Sequence, residues 1–137
     1  MQLPSILSFA VLAATTVHAR CYAEKGIDEA YWQKGDARAR AKEACAGVFA
    51  GSYSGSGTDG GHRSTCVAAM PPPPNYGDRT QHYVFEVSHV GDGDRVIKTS
   101  ECEDGLIKEI NGCDYGGDSS YTNWRYKSDP NAGNCPS

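Results

Sequence analysis

The sequence predicts an α+β fold, a two-layer sandwich of two helices packed on an antiparallel sheet and stapled by disulfides. Three observations predict it. Residues 36–50 and 100–112 carry helical periodicity, each with small or aliphatic residues along one stripe. Residues 63–70, 80–90, 95–99 and 121–128 are strand candidates, the second and last alternating as half-buried strands do. Six cysteines follow an apolar leader, the pattern of an exported chain that closes disulfides.

The leader comes first. Residues 3–14 are apolar, broken only by small residues and Pro4, and Val17-His18-Ala19 has the small–x–Ala form of a signal-peptidase site. A buried N-terminal helix is the competing reading, but every charged side chain lies beyond that cleavage point. The expected organisation is a signal peptide over 1–19 and one cysteine-rich domain over 20–137, secreted and extracellular. No later segment reaches the roughly 18–20 apolar residues of a membrane span. With 17 acidic against 13 basic residues and a net charge of −4, no nucleic-acid partner held by bulk charge is expected.

In the first helix Asp36 reads as the N-cap, followed by Ala- and Arg-rich sequence of high helix propensity. Ala41, Ala44, Cys45 and Val48 form its buried stripe, and the helix is expected to end near Ala50. The Gly/Ser run over 51–61 reads as a loop. In residues 80–90, Tyr83, Phe85 and Val87 face one side, and His82, Val84, Glu86 and Ser88 the other. Prolines 71–74 form a stiff extended connector. Ser100 and Glu103 read as a capping box for the second helix, with Cys102, Leu106 and Ile110 buried and Gly112 just past its end. Gly105 inside that helix costs about 1 kcal/mol against Ala. Residues 121–128 place Thr122, Trp124 and Tyr126 opposite Asn123, Arg125 and Lys127, and 129–133 reads as a turn by composition.

Cys21, Cys45, Cys66, Cys102, Cys113 and Cys135 are expected to form three disulfides, whose connectivity stays open among 15 arrangements. One pairing is excluded, because Cys102 and Cys113 would lie about 16 Å apart along a helix. No pair has zinc-site CxxC spacing, so no metal site is expected.

Little in the sequence compels an enzyme, and no cofactor is expected. His82 and Glu86 share a strand face but lie about 13 Å apart, and His89 points to the opposite face. His62 would have to arrive from the glycine loop to complete an acid–base site of ribonuclease type. Asp92-Gly93-Asp94 is a turn with too few ligands for calcium. The Ser54-Gly55-Ser56-Gly57 run has no Lys after it to cradle a phosphate and reads as a flexible loop. Aromatics are better placed for sugar recognition, since a flat ring packs on a sugar face while polar groups take its hydroxyls. The expected ligand-binding residues are Tyr121, Asp129 and Asn131, with Trp124 supporting them from the core.

The segment from Cys102 to Cys135 reads CEDGLIKEINGCDYGGDSSYTNWRYKSDPNAGNC. Its Gly-Leu, Glu-Ile-x-Gly-Cys, Gly-Gly, Trp-x-Tyr and Asp-Pro-Asn-x-Gly-x-Cys succession resembles small secreted fungal proteins and is similar to the mushroom glycan-binding protein family. That resemblance implies a single-domain αβ lectin, a glycan or glycoprotein surface as partner, and a homodimer through the sheet edge. The order of elements also resembles the killer-toxin fold of smut fungi, which implies a toxin or plant-pathogen effector with no sugar site. The expected function is carbohydrate binding at a host, competitor or cell-wall surface, with the toxin or effector second and a secreted ribonuclease third.

Overall fold

The computed structural model describes residues 20–22, 29–71, 74 and 77–136. The leader over 1–19 and residues 72–73 of the 71–74 connector lie outside the described residues. In chain order the elements are β1 (Arg20–Cys21), α1 (Lys34–Ala46), β2 (Gly51–Tyr53), a short 3-10 turn (Asp59–Gly61) and β3 (His62–Ala68). Then follow β4 (Gln81–His89), β5 (Arg95–Ile97), α2 (Thr99–Gly112), β6 (Gly117–Ser120) and β7 (Trp124–Ala132). The main sheet runs β1-β6-β7-β4-β3, antiparallel throughout, and β2 pairs with β5 in a small second sheet. This is the predicted disulfide-stapled α+β architecture.

Both helices cover one face of the main sheet. Ala37, Ala41, Leu106 and Ile110 meet Tyr83, Phe85, Val87, Trp124 and Tyr126 in a single core. The alternation in β4 is as expected, with Tyr83, Phe85 and Val87 at most 1% exposed. Three disulfides close the described chain, Cys21–Cys113, Cys45–Cys102 and Cys66–Cys135. Cys45–Cys102 joins the two helices directly. Bridges over spans this long each add about 2–4 kcal/mol by restricting the unfolded chain.

Several local expectations are corrected. Asp36 is not the N-cap of α1 but sits in its first turn, after Gln33. Its Oδ2 instead accepts from the Tyr83 hydroxyl (2.9 Å) and the Met70 N–H (3.0 Å), tertiary bonds that outweigh a local cap. The helix stops at Ala46, and the Gly47 and Phe49 amides both bond the Ala44 carbonyl. That tight exit sends Phe49 into the core and leaves Val48 47% exposed.

In α2 neither Ser100 nor Glu103 caps the helix, because the Lys98 carbonyl already accepts the Cys102 N–H (3.1 Å). The helix therefore begins two residues early, with Lys98 rather than Ser100 at the N-cap position. Gly112 is its last residue rather than the one beyond, and Cys113, held in the bridge to Cys21, caps it. The run over 51–61 is partly ordered too, since Gly51–Tyr53 finds β5 as a partner.

Residues 129–132 are strand, not turn. β7 stays paired with β4 as far as Gln81↔Ala132. Pairing with β6 ends at Gly117↔Ser128, so the missing N–H of Pro130 leaves no ladder bond unmade on that side. Gly116, at φ +87°, lies against this stretch; a Cβ there would fall 2.3 Å from the Ser128 carbonyl oxygen.

Candidate functional site

A groove opens where α2 crosses the start of β7. Its floor exists because residue 105 has no side chain, since a Cβ on Gly105 would lie 2.2 Å from the Tyr126 ring. One turn of helix on either side then supplies Glu101 and Lys108, with Asp104 at the rim. The opposite wall is Tyr121, positioned by its N–H bond to the Trp124 carbonyl (2.8 Å). Its ring packs 5.8 Å from Tyr126, and the Lys108 ammonium sits 5.5 Å from the Tyr121 ring centre. The groove's volume is about 200 Å³. That is below the roughly 300–1,000 Å³ of sites for drug-sized ligands and suits a single ring.

Electrostatics keep the groove's phenols neutral. Burial, then Glu109, pushes the Tyr121 phenol upward. Burial, followed by Glu101, pushes Tyr126 further up. Both hydroxyls therefore stay protonated, able to donate and to accept. Glu101 is held by the Trp124 indole N–H, which donates to Oε2 (3.0 Å). The groove thus presents two carboxylates and an ammonium from two turns of α2, facing the Tyr121 ring.

The other expected ligand residues are elsewhere. Arg125, Lys127, Asp129 and Asn131 point to the face opposite α1 and α2, alternating with buried Trp124, Tyr126, Ser128 and Pro130. Trp124 and Asp129 alone are about 16 Å apart along the strand. The Asn131 side-chain amide donates to the Asp129 carbonyl (3.1 Å). Tyr121 therefore does not converge with Asp129 and Asn131. Trp124 is 4% exposed and supports the groove from the core.

The histidines separate cleanly. His89 is buried on the helix side, with Nδ1–H donating to the Ser54 carbonyl (3.0 Å) and its ring 5.1 Å from Trp124. His82 is buried on the other face and donates to the Gly133 carbonyl (2.9 Å). His62 is exposed at the start of β3, where register places it opposite Ser88, and its Nδ1 lies 2.8 Å from the Ser88 hydroxyl. Sequence reasoning left His62 outside any site because strand register cannot be read from one strand alone. Beside it lies a second cleft of about 480 Å³, walled by the 56–61 loop and reaching Arg125. The loop is pinned by Ser54 N–H to Gly60 O and Ser56 N–H to Gly91 O, so the expected flexible run is a built wall.

Among the described residues no group of three or more His, Cys, Asp or Glu is placed to hold a metal ion. Among them, too, no helix is long and apolar enough to cross a membrane. No protein-family model matches the chain, and no curated protein matches it.

Proposed function

We propose that the chain is a secreted carbohydrate-binding protein, acting at a host, competitor or cell-wall surface through the groove between α2 and β7. The observation that carries this reading is the Tyr121 ring flanked by Glu101, Asp104 and Lys108. A sugar ring stacks its C–H face on an aromatic, and carboxylates and an ammonium on the same rim take its hydroxyls. Lys108 is exposed, and a lysine's four-carbon stem lets its ammonium swing aside to donate to a hydroxyl once a sugar occupies the ring face. A leader with a cleavage motif and three disulfides support export. In this reading the chain also pairs with a second copy along β3, a seven-residue strand at the edge of the main sheet among the described residues.

A glycan array followed by titration of its strongest hit tests the reading. Tyr121→Ala is expected to abolish binding and Tyr121→Phe to keep it, because stacking needs the ring and not the hydroxyl. Tyr121 packs against the core, so Tyr121→Ala also loses some stability, and circular dichroism confirms the variant is folded. An array without a hit, or unchanged affinity in folded Tyr121→Ala, contradicts the proposal.

A further inference from the structure

The face of the main sheet opposite α1 and α2 gathers chemistry that the sugar groove does not use. Adjacent strands carry it in register. His62 on β3 pairs with Ser88 on β4, which pairs with Arg125 on β7. One rung along, Ser64 pairs with Glu86, which pairs with Lys127 and then Asp118. His62 and Glu86 are thus diagonal neighbours on adjacent strands, about 7–8 Å apart and within reach of a group held between them. Lys127 Nζ lies 3.5 Å from Glu86, and Arg125 makes a two-pronged pair with Asp118. The His62 ring is fixed by Ser88 through Nδ1, which leaves Nε2 for a ligand. At that end the face opens into the 480 Å³ cleft, within the range of small-molecule sites.

We propose that this face is a metal-independent RNA-cleaving site built from His62, Glu86, Arg125 and Lys127. A carboxylate, an imidazole and two cations are the parts that phosphodiester transfer to a neighbouring hydroxyl requires. Glu86 takes the proton from the ribose 2′-hydroxyl, and the 2′-oxygen forms a bond to phosphorus. The bond from phosphorus to the 5′-oxygen breaks, and protonated His62 gives its Nε2 proton to that leaving oxygen. The products are a 2′,3′-cyclic phosphate and a free 5′-hydroxyl, with no oxidant or further reactant needed. Arg125 and Lys127 face the phosphoryl oxygens as their charge grows.

The net charge of −4 gives no long-range attraction for a polyanion, so the site acts on short segments by local contacts. The expectation of no nucleic-acid partner rested on that bulk charge and not on this local arrangement. The inference stands apart from the sugar reading, since it uses the opposite face.

The test incubates the purified chain, with a chelator present, with a short ribo-oligonucleotide and its all-deoxy counterpart. Cleavage of the RNA alone, leaving cyclic-phosphate ends, is expected, because only ribose carries the attacking hydroxyl. His62→Ala and Glu86→Gln are each expected to slow it by about 100-fold or more. Both side chains are at least partly exposed, and circular dichroism checks folding. A folded parent that does not cleave overturns the proposal. So does activity that persists in the folded double variant.

Discussion

Gly105 and Glu109, one turn apart on α2, show how single positions set both groove and stability. Propensity alone favours Ala over Gly at position 105 by about 1 kcal/mol. The Tyr126 ring reverses that preference, because a methyl group would overlap it at 2.2 Å. Gly105→Ala is therefore expected to lower stability by about 1–3 kcal/mol as an overpacked core, read from the urea unfolding midpoint. A midpoint at or above the parent's would contradict this placement of Tyr126.

Glu109 is 1% exposed, and its Oε2 has no hydrogen-bond partner among the described residues. Burial raises its carboxyl above the ordinary glutamate range, and nearby Asp118 adds to the shift. The folded state thus holds this proton more tightly than the unfolded chain does. Stability from this group is present at acid pH and is lost as pH rises through its raised folded value. Glu109→Gln keeps the neutral form at every pH. Its unfolding free energy is expected to exceed the parent's more at pH 8 than at pH 5, and an equal difference at both would contradict the buried carboxyl.

At the scale of elements, interiors were legible and ends were not. The Cys102, Leu106 and Ile110 spacing located α2, and alternation assigned both faces of β4, because burial repeats with helix and strand period. The start of α2 is not legible in this way, because Ser100-x-x-Glu103 satisfies a capping motif that the earlier start at Lys98 makes redundant. Ser100→Ala is accordingly expected to change stability by less than about 0.5 kcal/mol in thermal or urea unfolding, as for an ordinary surface site. A loss of about 1 kcal/mol would instead show that the hydroxyl caps the helix in solution.

The site was half legible for a related reason. Strict alternation across 121–131 puts Tyr121 on the same face as Asp129 and Asn131. The turn closed by Tyr121 N–H to Trp124 O breaks that parity and delivers Tyr121 to the helix side. Pro130 misleads likewise, since only the early end of β6 makes it harmless inside β7.

Across the whole molecule, six cysteines announced three bridges, while their pairing needed the fold. Pairing follows from the layers: Cys45–Cys102 joins helix to helix, and Cys21–Cys113 ties β1 to the end of α2. Cys66–Cys135 anchors the C-terminal tail to β3. The same layers separate two faces of different chemistry, an aromatic groove beside α2 and a charged sheet surface opposite.

The claim that sugar is bound at the α2–β7 groove is tested most directly by amide chemical-shift mapping. Titrating the isotopically labelled chain with its best array glycan is expected to shift Glu101, Asp104, Gly105, Lys108 and Tyr121, leaving Asp129 and Asn131 unmoved. Shifts confined to Asp129 and Asn131, or none at saturating glycan, would contradict it.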